Sequence, residues 1–426
     1  MRSASSRPGF IGVLDIGTTK VVCLIASHTA KRGQEGSTAY PGSGLRILGV
    51  GHQRSGGVKA GVVIDLEDAE RCIRAAIAQA ERMAGVTLDH VIVSIACGRL
   101  KSHTFSASAD ITGSRVKAQD VARMMAGARS YVERDGRKLV HINRKAVHLD
   151  GTISDGLPVG LAARQMTADI HAVSADEAPL RNLMMVLERC HLGVAGLSVA
   201  PFASALAVTS DEERQLGTTV IDIGSGITKL ATFSGGHLTG VRSAAFGGGS
   251  MTAAIAHALH TPLIEAERIK ALYGNLLSAR SDEHEGFSYP LAGSDEGVTH
   301  HATRAQLASV IRPLVVELLQ SVTNPSSPAW HAGAGGHPLV LTGGGSQLTG
   351  IAEFTSQLLQ RPVRIGQTAA VSGLPPIARS MAFSTATGLL FASEGQDELA
   401  TVSTEFGEDR DSGYVRRVGA WLKSGF

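Results

Sequence analysis

Asp15-Ile16-Gly17-Thr18-Thr19-Lys20 and, 207 residues on, Asp222-Ile223-Gly224-Ser225-Gly226-Ile227-Thr228-Lys229 are built on one plan. Each follows an apolar run that reads as a buried strand, Phe10 to Leu14 and Thr219 to Ile221. Glycines let backbone N–H groups close on phosphate oxygens, and Thr or Ser hydroxyls add donors. The leading Asp15 and Asp222 sit at strand ends, where carboxylates can hold the water shell of Mg²⁺. One such loop is common in α/β proteins; two suggest a duplicated domain that clamps one nucleotide. A third element agrees: Leu339-Val340-Leu341 reads as a strand running into Thr342-Gly343-Gly344-Gly345-Ser346. Its glycines offer a flat surface to a purine or ribose, and a helix from about Ile351 to Leu359 follows.

The three loops in this order resemble the actin-like ATPase superfamily. That resemblance implies two phosphate loops and an adenosine loop.

Composition sets the frame. At 426 residues the chain can bury a large core and should form at least two domains. Fifty glycines and 4% aromatics suit an α/β protein with many tight loops, and a net charge of +2 gives no pointer to nucleic acid. Cys23, Cys72, Cys97 and Cys190 show no metal or redox spacing and read as buried thiols in a reducing cytosol. No apolar run is expected to reach the roughly 18 residues of a membrane span, and Met1–Pro8 does not read as a signal peptide.

Along the chain, Phe10–Asp15, Lys20–Ala26 and Arg46–Gly51 read as strands, with Lys31–Gly44 an exposed hairpin extension. Asp65 can cap a helix to about Met83 that puts Ile73, Ala76, Ile77, Ala80 and Met83 on one face. Val91–Ile95 is a further strand. From about Val91 to Thr167 the pattern changes, with short alternating segments (Arg137–Ile142, Ala146–Leu149) and one helix, and we read this as an inserted subdomain. Helical spacing resumes over Ala178–Cys190, and the second half is expected to start near Gly193. Ser281–His301 reads as an irregular loop and Asn324–His337 as a connector. Glu394–Ser412 is an acidic linker that would span roughly 20–25 Å as a flexible coil.

Over Gly413–Phe426, Tyr414, Val415, Val418, Trp421, Leu422 and Phe426 fall on one helical face, with Arg416, Arg417 and Lys423 elsewhere. A basic helix carrying Trp and Phe suits an anionic bilayer surface. Its three cations supply about 3 kcal/mol there, and so short a helix should fold on contact. Docking on the protein's own body is the alternative, which the acidic linker disfavours.

With these features on the page, the chain resembles the bacterial cell-division FtsA family over nearly its whole length. Further segments carry the resemblance: Ser55-Gly56-Gly57-Val58-Lys59-Ala60-Gly61, Glu188-Arg189-Cys190-His191-Leu192, Ala203–Val208, Asp211-Glu212-Glu213 and Ala266-Glu267-Arg268-Ile269-Lys270. The resemblance implies an α/β, actin-like two-domain ATPase fold of duplicated ribonuclease-H-like domains, with a small subdomain inserted in the first half. Its implied divisions are 8–90, 168–200 and the return of 304–393 for the first body, with 91–167 inserted; 201–250 and 304–393 for the second, with 251–303 its small subdomain; then the linker 394–412 and the helix 413–426. It further implies ATP with Mg²⁺, self-assembly into filaments on the cytoplasmic face of the inner membrane at the division site, capture of the FtsZ C-terminal peptide at a surface including Arg304, and contact with later division proteins.

Residue by residue, Gly17, Thr18, Thr19 and Lys20 would meet the phosphates from one side and Gly224, Ser225 and Gly226 from the other. Asp15 and Asp222 would hold Mg²⁺ through water, and Gly343, Gly344 and Gly345 would line the adenosine. Glu267 and Lys270 would bond the base or ribose; a surface ion pair is the other reading of that spacing. One departure stands out. The family has Thr-Thr-Asp after the second loop's glycines, where this chain has Ile227-Thr228-Lys229. A hydroxyl is lost and a carboxylate becomes an ammonium, so the expectation is ATP binding with slow hydrolysis. Competing readings are a sugar or acyl kinase, which lacks an obvious acidic base here, and a pilus-assembly relative such as PilM, which would not carry the basic tail.

Overall fold

A computed structural model describes residues 9–28, 44–154, 158–277, 280–293, 298–323 and 338–394. The expected hairpin extension up to residue 43, the connector 324–337, the linker from 395 and the amphipathic tail with Tyr414, Val415, Arg416, Arg417, Val418, Trp421, Leu422, Lys423 and Phe426 lie outside the described residues.

The first half opens with β1 (Phe10–Ile16), β2 (Lys20–His28), β3 (Leu45–Arg54), a short hairpin of β4 (Val58–Lys59) and β5 (Val62–Val63), α1 (Leu66–Ala84) and β6 (His90–Ile95). As the spacing predicts, Asp65 caps α1: its carboxylate accepts from the amides of Glu67 and Asp68, each at 3.0 Å. Gly85 ends the helix in the left-handed conformation at φ 68°. The buried stripe Ala69, Ile73, Ala76, Ile77 and Ala80 faces the sheet. There β3 comes so close that a Cβ on Gly51 would lie 1.8 Å from the Ala76 carbonyl oxygen.

A four-stranded sheet interrupts this half. It is made of β7 (Lys101–Asp110), α2 (Ala118–Val132), β8 (Arg137–Leu149), β9 (Thr152–Ser154) and β10 (Gln165–Asp176), in strand order β7-β10-β8-β9. Its own core holds Val121, Met124, Met166 and Ile170 under α2. Its bounds differ from those expected. His90–Ile95 is a central strand of the main sheet, and β10 runs on to Asp176, where Arg99 Nε sits 2.6 Å from the Asp176 carboxylate. Arg137–Leu149 is one strand, not two.

After α3 (Glu177–Arg189), β11 (Gly193–Val199) pairs parallel with β6, so the chain is still in the first sheet at Gly193, where the second half was expected to begin. α4 (Ala200–Val208) and α5 (Asp211–Leu216) lead into β12 (Thr218–Ile223), β13 (Thr228–Ser234) and β14 (His237–Ala244). Next come α6 (Gly248–Leu259), α7 (Leu263–Tyr273), the hairpin β15 (Gly286–Tyr289) and β16 (His300–Thr303), and α8 (Arg304–Val322). That hairpin begins in the stretch read as a loop and runs two residues past it; the two strands pair antiparallel, and Phe287 stacks on Tyr273 at 4.7 Å. β17 (Leu339–Thr342), α9 (Ile351–Leu359), β18 (Val363–Ile365) and α10 (Ser384–Glu394) complete the described chain.

The two main sheets have one topology. The first runs β3-β2-β1-β6-β11 and the second β14-β13-β12-β17-β18, with an antiparallel hairpin at the centre and parallel strands beyond it in both. The chain crosses between halves at α4 and returns at α10. These helices meet so closely that a Cβ on Gly388 would lie 1.6 Å from the Ala203 carbonyl oxygen. By length and composition α8 is apolar enough to cross a membrane, at a mean hydropathy of 1.2, contrary to the expectation that no run would be. Leu307, Ile311, Val315, Leu318, Leu319 and Val322 are buried in the second core, so packing accounts for its apolarity.

The inserted sheet also reaches the second half through a chain of hydrogen bonds. The Val241 amide donates to Ser102 Oγ at 2.7 Å, and Ser102 Oγ lies 3.0 Å from His171 Nε2. His171 Nδ1 lies 3.1 Å from Asn143 Oδ1, and Asn143 Nδ2 donates to the Leu238 carbonyl at 3.1 Å. Both ends fall on β14. Neutral His171 satisfies every link if the Ser102 hydroxyl donates to Nε2 and Nδ1–H donates to Asn143.

Candidate functional site

The mouth of each central hairpin closes alike. Ile16 pairs with Val21 and the Gly17 amide donates to the Lys20 carbonyl at 2.9 Å. Ile223 pairs with Thr228 and the Gly224 amide donates to the Ile227 carbonyl at 3.0 Å. The offset of 207 residues therefore holds through both loops, matching Lys20 with Ile227 and Val22 with Lys229. The loops face one another: a Cβ on Gly226 would lie 2.5 Å from Thr18 Oγ1. Behind loop two, the first amides of α6 are satisfied by the loop itself, Gly248 on the Gly224 carbonyl at 2.9 Å and Gly249 on the Ser225 carbonyl at 2.8 Å.

The third loop leaves β17 beside β12. Gly343 has φ 84°, and a Cβ there would stand 2.3 Å from Asp222 Oδ1, so only glycine lets the chain pass the carboxylate. Together these segments enclose a cavity of about 660 Å³. Every residue expected around a nucleotide lines it: Gly17, Thr18, Thr19 and Lys20; Gly224, Ser225 and Gly226; Glu267 and Lys270; Gly343, Gly344 and Gly345. Asp15 and Asp222 line it too. Glu267 and Lys270 form the ion pair that one reading of their spacing expects, and they do so on the cavity wall. The pair closes at 2.6 Å, and Lys270 Nζ also donates to the Gly248 carbonyl at 3.0 Å and to Thr252 Oγ1 at 2.7 Å, which anchors α7 to α6 at the cavity wall. Arg304 lies outside the cavity, paired with Glu285 at 3.1 Å beside the β15–β16 hairpin.

The charged groups are held from several elements. Ser94 Oγ on β6 donates to Asp15 at 2.7 Å. Lys20 Nζ donates to the Ala382 carbonyl and lies 4.5 Å from the centre of the Phe383 ring. Burial holds the Lys20 pKa below its usual value, against the pull of Asp15 and Asp222. Lys229 Nζ sits 2.7 Å from Asp222 Oδ2, both side chains buried. Burial works against the Lys229 charge, but the Asp222 and Asp15 carboxylates outweigh it and raise its pKa. Thr385 Oγ1, from α10, donates to Asp222 at 3.2 Å.

Ser94, Thr252, Ala382 and Thr385 are site residues that sequence reasoning missed. Ser94, Ala382 and Thr385 come from elements remote in sequence from the groups they support, Thr252 bonds within the neighbouring α6–α7 pair, and none stands in a motif. The magnesium expectation meets a different obstacle. Asp222 Oδ2 carries the Lys229 ammonium, Oδ1 lies against Gly343, and Thr385 adds a donor, so Asp222 does not fit a share in holding the water shell of magnesium. Among the described residues no group of three or more His, Cys, Asp or Glu could hold a metal ion.

Comparison with known proteins places this geometry. Among solved structures the chain is similar to the PilM-PilN type IV pilus biogenesis complex, with TM-score 0.62 at 18% identity over 90% of this chain and 98% of that one. It is also similar to MreB 5 of Spiroplasma citri bound to AMPPNP, with TM-score 0.52 at 14% identity over 92% and 97%. At those identities the likeness is one of fold. Taken with the family matches that follow, fold and site define a member of the actin-like ATPase superfamily.

The family follows from closer relatives. The family model "Cell division protein FtsA" matches residues 219–388, and "SHS2 domain inserted in FTSA" matches 97–174, the stretch of the inserted sheet. Cell division protein FtsA of Agrobacterium fabrum is 36% identical over 99% of this chain and 96% of its own. That of Escherichia coli strain K12 is 30% identical over the whole of both. The chain belongs to the FtsA family of cell-division proteins.

Proposed function

We propose that the chain binds ATP in the cavity between its two ribonuclease-H-like halves, forms filaments on the cytoplasmic face of the inner membrane at the division site, and ties FtsZ filaments to that membrane. The observation that carries the nucleotide reading is the convergence of three glycine loops from two halves on one cavity. Glycine and hydroxyl donors from opposite sides suit a polyphosphate, and the third loop leaves a side-chain-free wall for adenosine. Hydrolysis is slow, at most. Ile227 presents an alkyl group against Gly61, 2.8 Å from a Cβ there, in a place where a polar side chain could position water.

The membrane link rests on the sequence of the tail, whose basic and aromatic residues 414–426 suit anionic lipid. The FtsZ C-terminal peptide is assigned to the surface around Arg304, beside the β15–β16 hairpin. The inserted subdomain is left for the neighbouring protomer and later division proteins. One weak tail per protomer becomes a firm anchor when a filament presents many, so polymerisation would switch membrane residence.

Co-sedimentation with anionic liposomes and FtsZ tests this, comparing the full chain with one ending at Asp411, with and without ATP. The full chain alone should carry FtsZ down with the liposomes. If it ignores both lipid and FtsZ, the tether reading falls and the fold assignment stands.

A further inference from the structure

The two central hairpins match in strand order, register and loop closure, and at the pair that carries the loop aspartate they differ in charge. Asp15 faces Val22 across the first hairpin, whereas Asp222 faces Lys229 across the second. Lys229 thereby brings a permanent cation to the cavity wall, 2.7 Å from the Asp222 carboxylate, with only 11% and 5% of the two side chains exposed. Asp222 is its one partner among the described residues, and an ammonium has three donors.

From this pair we infer that Lys229 stands in for the divalent cation at the second phosphate loop, so that a nucleoside triphosphate binds this chain with little dependence on Mg²⁺. The inference rests on the nucleotide reading above. Its physical basis is charge balance. A bare carboxylate at a strand end repels the phosphates that the neighbouring glycines attract, and a divalent ion ordinarily offsets that repulsion. Here the offset is already built in at Asp222, and a metal ion approaching that carboxylate would meet the Lys229 ammonium at like charge. Lys20 lines the same cavity on the other loop and adds a second ammonium.

Calorimetric titration of the full chain with ATP, in Mg²⁺ and then in excess EDTA, tests it without reference to hydrolysis. Chelation should change the wild-type affinity by less than about threefold, while Lys229→Met, which frees Asp222, should lose about tenfold or more in EDTA and recover in Mg²⁺. A wild-type loss of about tenfold on chelation, or a folded Lys229→Met variant as indifferent to Mg²⁺ as the parent, overturns the inference. If Lys229→Met does not fold, the wild-type pair of titrations decides. If ATP binds in neither condition, the nucleotide reading itself falls, and this inference with it.

Discussion

Thr18 and Gly226, from opposite halves of the molecule, stand so close that a methyl group on the glycine would lie 2.5 Å from the threonine hydroxyl oxygen. The two glycine loops are thus in contact across the cleft, and beside the Thr18 side chain there is no room for a second one at position 226.

Gly226→Ala should therefore lower ATP affinity by about tenfold or more, about 1.4 kcal/mol. Thermal stability should change little, because Thr18 is half-buried on a loop and can turn aside. Fluorescent-nucleotide titration beside a melting curve separates the two effects. Unchanged affinity would show that the loops are further apart in solution.

A pair of glycine variants should move stability in opposite directions. Gly388→Ala puts its methyl 1.6 Å from the Ala203 carbonyl oxygen, between two buried helices, and should cost about 2–4 kcal/mol. Gly127 lies on the exposed side of α2 with nothing within 4 Å of a Cβ, so Gly127→Ala should stabilise by about 0.5–1 kcal/mol. Urea midpoints at constant slope report both.

His171 sets part of the acid sensitivity. Burial first, then the neighbouring His141, Lys145 and His103 groups, push its pKa down from 6.5 to about 3. The unfolded chain takes the proton first, so the stability it contributes is intact above pH 6.5 and is lost as pH falls toward 3. The loss is at most about 1.4 kcal/mol per pH unit. Comparing urea midpoints at neutral pH and in mild acid, His171→Gln should show the shallower decline. Parallel declines would remove His171 from the account.

The four thiols should divide by depth. Cys23 and Cys97 are buried, and burial pushes their pKa values up to about 12 and about 11. Cys72 and Cys190 are partly exposed, against the expectation that all four are buried. A thiol-exchange reagent should titrate two groups in the native chain and four in denaturant. Rapid reaction of all four without denaturant would contradict the packing of β2 and of the turn after β6.

Local chemistry carried the loops. Gly17, Gly224 and Gly343 stand where the backbone must turn or pass close, and the Asp65 cap names its helix. Long-range pairing was hidden. Gly193–Val199 joins the first sheet by bonding to β6 across the entire inserted subdomain, and no local feature of its sequence says so. The inserted subdomain reads as ending at Thr167 because Ala168–Asp176 of β10 is buried almost throughout and shows no alternation. The Lys229–Asp222 pair was within reach: a four-residue loop after Ile223 fixes the register and puts Lys229 opposite Asp222. Thr385 was not, since it meets Asp222 from 163 residues away.

The chain of bonds through Ser102, His171 and Asn143 gives the inserted sheet two attachments, covalent to one half and hydrogen-bonded to the other. It ties the inserted sheet to the second half at β14, where two hydrogen bonds hold it. Any change in the angle between the halves would have to swing the whole sheet or part those two bonds.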